Sequence, residues 1–138
     1  MVKWLIPSGI MNFECKMCGG CCKNGWDILI RKPEYDKLKK IVDKDLFHET
    51  VAILPKDYGS GTYYAKLCTN DGGCGLQQEN NLCKIHKNYG LKYLPNVCTI
   101  YPRHIFITPR GFEMSLGFSC PATETILLSK EHSCNELK

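Results

Sequence analysis

No stretch of this 138-residue chain approaches the ~20 consecutive apolar residues that a membrane span requires. The early apolar run Trp4-Leu5-Ile6 is broken by Pro7, too short for the core of a secretory leader, and no small-residue cleavage site follows. Gly-x-Gly-x-x-Gly is absent, and so is a phosphate loop; Gly72-Gly73-Cys74-Gly75 has neither spacing. There is no internal repeat, no low-complexity segment and no convincing linker. These absences argue against a membrane partner and nucleotide-fold chemistry, and they predict a cytoplasmic protein.

What the chain has instead is cysteine. Ten residues, about 7% of the chain, are cysteine, well above common usage. Four of them fall in the octet Cys15-Lys16-Met17-Cys18-Gly19-Gly20-Cys21-Cys22. Two glycines and no bulky aliphatic residue lie between these thiols, so little but a bound group can organise the loop. In a cytosolic protein such clusters mean metal or redox chemistry more often than disulfides. An even count still leaves a disulfide framework as an alternative.

Formal charge is +4, from 18 basic and 14 acidic residues. Four thiolates around Zn(II) or an oxidised four-iron cluster carry about −2 in total, so two such sites bring the sum near zero. The basic balance therefore gives no ground for a nucleic-acid partner.

Pattern and punctuation predict a small irregular α+β fold in one domain, with a loose lead-in over 1–12, a cysteine-cluster domain over 13–130 and a frayed tail over 131–138. Met11 is an alternative start. Trp26–Arg31 reads as a strand, and Pro33 with Glu34 and Asp36 opens a helix over roughly 33–47, its lysines forming a solvated face. Val51–Leu54 and Thr62–Leu67 read as short strands around the turn Asp57–Gly61, and Cys68–Gly75 as a loop. Asn81 caps a short helix that Gly90 stops, and Pro95 opens a turn carrying Cys98. Arg103–Ile107 and Gly111–Leu116 read as a β-hairpin, and Cys120-Pro121 as the start of a helix to about Ser129.

Cysteine binds metal as thiolate, and a C-x-x-C turn lets two sulfurs converge. Zinc ribbons use two separated pairs, whereas [4Fe-4S] clusters take three sulfurs from a C-x-x-C-x-x-C run and a further cysteine followed by proline. Cys15, Cys18 and Cys21 supply the run, and Cys120-Pro121 is the only cysteine–proline pair. An iron–sulfur centre, with zinc as the alternative, follows from that pattern. On extended backbone Cys22 would point away from Cys21. That places it in a second centre with Cys74, Cys83 and Cys98, or with His86 in place of one of them. A vicinal disulfide and an inert buried thiol are the competing readings. Cys68 and Cys134 are spare, and His48, His104 and His132 have no partner spacing.

The run Cys15-x-x-Cys18-x-x-Cys21-Cys22 resembles the name-giving motif of the CxxCxxCC (YkgJ-type) zinc- or iron-chelating family. Within it the chain is most similar to the cysteine-rich N-terminal part of flagellin lysine-N-methylases. The match runs through Phe13-Glu14-Cys15, Trp26-Asp27-Ile28, Gly73-Cys74, Leu82-Cys83-Lys84-Ile85-His86, Leu94-Pro95-Asn96-Val97-Cys98, Tyr101-Pro102-Arg103 and Ser119-Cys120-Pro121. The resemblance implies eight metal-associated cysteines: 15, 18, 21, 22, 74, 83, 98 and 120. It also implies a [4Fe-4S] cofactor and S-adenosylmethionine-dependent methylation of lysines on flagellin or another protein. Arg103 would meet a cofactor or substrate carboxylate, or serve a structural ion pair. Those methylases continue well beyond this region, which separates family membership from activity.

Overall fold

The computed structural model describes residues 2–11, 13–67, 69–70, 73–128 and 134–137, with the side chains at 69–70, 127 and 134–137 left out. The fold is α+β, and its contacts divide it into two compact units: 1–20 with 100–138, and 21–99. Among the described residues no helix is long and apolar enough to cross a membrane.

The first unit is built on a mixed four-stranded sheet. Its strands are β1 (Trp4–Pro7), the hairpin pair β7 (Arg103–Thr108) and β8 (Gly111–Leu116), and β9 (Cys134–Leu137), in the order β7-β8-β1-β9. Residues 4–11, expected as loose lead-in, are instead β1 and the short helix α1 (Ser8–Met11), and they bury Leu5 and Ile10. The tail is likewise not frayed over 134–137, because β9 pairs antiparallel with all four residues of β1. Both segments are too short to declare themselves by periodicity; each is ordered by a neighbour distant in sequence.

The hairpin follows the expected reading, and its turn shows why. Glu113 accepts hydrogen bonds from the Thr108 hydroxyl (2.7 Å) and from Arg110 Nε and Nη2 (3.0 and 2.9 Å). Gly111 has φ +131°, and a Cβ there would lie 2.3 Å from Lys3 O. That close approach lets Phe112 N donate to Lys3 O (2.9 Å) and begin the parallel β1–β8 ladder. Ile10, Phe13, Leu116, Cys120 and Ala122 form this unit's core, the last of them on α6 (Pro121–Leu127).

The second unit holds an antiparallel sheet of β2 (Ile28–Ile30), β4 (Ala65–Leu67) and β3 (Val51–Ile53), in the order β2-β4-β3. Ile28 lies opposite Leu67 and Ile30 opposite Ala65, so four buried side chains share one face. That face packs with Leu38 of α2 (Lys32–Ile41), Phe47 of α3 (Lys44–Thr50) and Ile85 of α4 (Lys84–Tyr89). The single helix expected over 33–47 is thus two. Val42 leaves the helical region at ψ 139°, and Asp43 caps the second helix by accepting from Asp45 N and Leu46 N at 3.1 and 3.3 Å. An aspartate inside a helical pattern is equally an N-cap. The lysines at 37, 39, 40 and 44 are exposed, as the solvated-face reading expects.

The loop expected over 68–75 contains a minimal ladder, β5 (Thr69–Asn70) against β6 (Gly73–Cys74). Asn81 does not cap α4. It turns the chain with φ +66°, while Cys83 occupies the cap position and Gly90, at φ +82°, stops the helix as expected. Pro95, fully buried, leads into α5 (Asn96–Ile100), which carries Cys98.

Candidate metal centre

The eight described cysteines are all free thiols, so no disulfide framework ties them together. Cys68 and the side chain of Cys134, both expected to be spare, lie outside the described residues, as does His132. The octet is shared between the units: Cys15 and Cys18 fall with Cys120 in the first, and Cys21 and Cys22 fall with Cys74, Cys83 and Cys98 in the second.

In the first unit, left-handed turns at Met17 (φ +52°) and Gly19 (φ +73°) fold the C-x-x-C loop back on itself. Met17 N donates to Cys15 Sγ at 3.4 Å, an amide–sulfur bond within the turn. Lys16 Nζ reaches Thr125 Oγ1 at 3.1 Å and ties the loop to α6. A methyl group on Gly20 would meet Cys18 Sγ at 3.5 Å and Pro121 Cδ at 3.6 Å. Gly20 therefore sits between the Cys18 thiol and the ring of Pro121, the residue that follows Cys120. Cys120 is buried, and the flanking Tyr101 and Ser119 hydroxyls hydrogen-bond at 2.8 Å.

Arg103 is half-buried, with its guanidinium carbon 5.0 Å from the centre of the Phe13 ring. Phe13 is buried and stands two residues before Cys15. Among the described residues Arg103 makes no ion pair, and its guanidinium has a cation–π contact with Phe13 instead.

In the second unit the backbone around Cys21 is not extended. Residues Gly20–Lys23 form a 3₁₀ turn, and the Sγ atoms of Cys21 and Cys22 stand 3.9 Å apart. The premise that these neighbours must point apart is corrected by that turn, which Gly19 makes accessible. Cys74 and Cys83 are set by a compact scaffold: Gln77 N donates to Cys74 O, Lys84 N to Leu76 O and Gln78 N to Leu82 O, each at 2.9 Å. Cys22, Cys74, Cys83 and Cys98 all pack into the core of this unit.

The thiols also sense each other electrically. A hydrogen bond from the Cys22 thiol holds Cys21 down to about 6. Cys22 is pushed up, first by keeping the proton of that bond, then by burial, then by the charges of Cys21, Cys74 and Cys83. Burial raises Cys74, and the charges of Cys83 and Cys21 add to it. Cys98 is raised by burial and then by Cys74, Cys83, Cys21 and Glu34. Cys22, Cys74 and Cys98, each raised in part by neighbouring thiolate charge, belong to a donor set for which a cation removes the repulsion.

Among the described residues no three cysteine, histidine or acidic donors converge closely enough to enclose an ion as they stand. His86, one turn along α4 from Cys83, does not complete such a group. The pair Cys21–Cys22 does supply an edge. With a metal–sulfur bond of about 2.3 Å, a tetrahedral thiolate site has sulfur–sulfur edges of roughly 3.8 Å, and the pair stands at 3.9 Å. The donor set fits a thiophilic ion by chemistry and, at this edge, by distance.

The family profile CxxCxxCC, described as "Putative zinc- or iron-chelating domain", matches residues 14–135. "Flagellar biosynthetic protein FliU" of Salmonella muenchen is 29% identical over 129 residues, which cover 89% of this chain and 75% of that protein. "Lysine-N-methylase" of Salmonella typhimurium is also 29% identical over 129 residues, but these span 89% of this chain and only 32% of the methylase. An uncharacterized protein of Methanocaldococcus jannaschii is 32% identical over 136 residues, 98% of this chain and 40% of its own. No solved structure matches the chain.

Proposed function

The chain belongs to the CxxCxxCC zinc- or iron-chelating family, and from that premise we propose that it is a metal–thiolate protein with Cys21, Cys22, Cys74, Cys83 and Cys98 as the donors of its second unit. The observation that carries this reading is the free Cys21–Cys22 pair, 3.9 Å apart and electrostatically linked to three further thiols. Cys15, Cys18 and Cys120 form the donor group of the first unit. A bound ion would cross-link the short elements that carry these cysteines.

The separation of Cys21 and Cys22 favours one ion shared by both sulfurs. In a four-iron cluster each cysteine binds its own iron, and the sulfurs stand further apart. An iron–sulfur cluster is the second reading. It is supported by the amide–sulfur bond in the first C-x-x-C turn and by the position of Cys18 and Pro121, the residue that follows Cys120, around Gly20. Protein purified without oxygen, analysed for zinc, iron and acid-labile sulfide, separates the two. Zinc in a colourless protein, or iron free of sulfide, supports the shared ion; brown protein with iron and sulfide in equal amounts supports the cluster. Protein that holds neither metal after reconstitution would sink both.

Methyl transfer is a further proposal that rests on similarity to the lysine-N-methylases, of which the chain spans about a third (32%). In that activity the sulfonium–methyl bond of S-adenosylmethionine breaks, the methyl group bonds to the nitrogen of a protein lysine and S-adenosylhomocysteine leaves, flagellin being the candidate substrate. The lysine amine must first lose its proton, and Arg103 is the candidate contact for a carboxylate of cofactor or substrate. The alternative, a non-enzymatic structural zinc- or iron–sulfur-binding module acting in protein interaction, needs none of this. Incubation of the metal-loaded chain with S-adenosylmethionine and flagellin, followed by mass analysis of flagellin lysines, decides between them; no methylation leaves the chain a metal-binding interaction module.

A further inference from the structure

We infer that Glu34 is a positioning residue for Cys98: its carboxylate ties the first turn of α2 to the first residue of α5 and so sets where the Cys98 thiol stands. Glu34 Oε2 accepts from Arg31 N at 2.7 Å, and Oε1 accepts from Asn96 N at 2.6 Å. Both bonds are short and charge-assisted, the strong class of backbone contact. Among the described residues Glu34 has no ion-pair partner, although exposed Lys37 and Lys92 line the same cavity, so its two oxygens serve two helix starts, the second 62 residues from Glu34 itself.

The helix so held has little means of holding itself. α5 is five residues long and buries none of them; Val97 and Ile100 are exposed and Cys98 is half-buried. A helix of that length has no independent stability. Its position therefore depends on its entry, fixed by buried Pro95, on the packing of Cys98 against the core, and on its first amide, fixed by Glu34. Beside this tie lies an open cavity of about 270 Å³, lined among others by Lys37, Lys92, Asn96 and Thr99. There is room for α5 to shift once the tie is cut, and Cys98 would shift with it.

The consequence for metal binding rests on the proposed ligand role of Cys98, but the positional claim can be tested without metal. In the reduced, metal-free full chain, the rate of Cys98 alkylation is measured by peptide mass spectrometry beside that of Cys74, which does not touch the tie. The variants are Glu34→Ala, and Glu34→Ala with Arg31→Ser, where the serine hydroxyl restores a cap to α2. Loss of the tie is expected to raise Cys98 reactivity about tenfold, as for local opening when a charged hydrogen bond is lost, while Cys74 is unchanged. The added serine is expected to recover the thermal midpoint but to leave Cys98 fast. An unchanged Cys98 rate, equal acceleration at Cys74, or recovery of the slow rate by Arg31→Ser would each overturn the inference. Cobalt(II) titration then addresses the ligand role: if Cys98→Ala binds as tightly as the native chain, that role fails, whereas the alkylation result stands by itself. If Cys98→Ala weakens binding and the Glu34→Ala, Arg31→Ser chain weakens it too, position and ligation are joined.

Discussion

Replacing Cys22 by alanine should make Cys21 a poorer nucleophile in acid, although it uncovers the sulfur. In the reduced, metal-free protein Cys21 is held at about 6, and the Cys22 thiol hydrogen bond is the largest cause. At pH 5.5 that value gives a thiolate fraction of about one quarter, against about one in a thousand for an ordinary thiol near 8.5. The ratio is about 240. A thiolate of lower pKa is intrinsically less reactive, and a Brønsted slope of about 0.4–0.5 over this difference removes a factor of about 10–18. The net expectation is that Cys21 reacts with iodoacetamide about twentyfold faster in the native chain than in Cys22→Ala at pH 5.5. The pH midpoint of the reaction should also move from about 6 into the ordinary thiol range. Removing a side chain increases access, so simple uncovering predicts the opposite sign. If the variant reacts as fast as the native chain at pH 5.5, or faster, the hydrogen bond does not control Cys21.

The same shifts set the pH dependence of metal-free stability. Cys21, lowered in the fold, adds stability that is present above the ordinary thiol pKa and is lost as pH falls through about 6. Cys22, Cys74 and Cys98, raised in the fold, add stability that is present below that pKa and is lost as pH rises towards their raised values. The thermal midpoint should therefore rise from pH 6 to a maximum at about 8.5 and decline beyond it; a midpoint still rising past that point contradicts the assignment. Leu38, only 1% exposed in the core of the second unit, should cost about 2–5 kcal/mol as Leu38→Ala in urea denaturation. Gly111→Ala puts a Cβ against Lys3 O, and should destabilise the first unit by about 1–3 kcal/mol, with early exchange of the Phe112 amide.

Patterns that depend on near neighbours were legible in advance. The hairpin announced itself through strand formers on either side of Thr108-Pro109-Arg110-Gly111, and the solvated lysines of α2 through their spacing. The break between α2 and α3 was not, because Asp43 and Val42 suit both a continuous amphipathic helix and a cap between two. The order of residues 4–11 and 134–137 was hidden for a different reason. β1 and β9 are four-residue strands whose hydrogen bonds come from each other and from β8, and no local signal encodes such a pairing.

Within the cysteine octet the division is similar. Residue type and spacing alone were enough to identify the CxxCxxCC zinc- or iron-chelating family and to nominate its cysteines, Cys120 before Pro121 among them, as candidate ligands, since thiolate affinity is a property of the side chains themselves. Only the tertiary structure decided how the thiols are grouped. Left-handed turns at Met17 and Gly19 lead into a 3₁₀ turn, and that turn sets Cys21 beside Cys22 rather than opposite it. Glu34, whose place in the first turn of α2 was read from sequence as a helix start, also grips an amide 62 residues away. A one-dimensional pattern states what each residue prefers; which distant amide or thiol meets that preference is settled when the chain closes on itself.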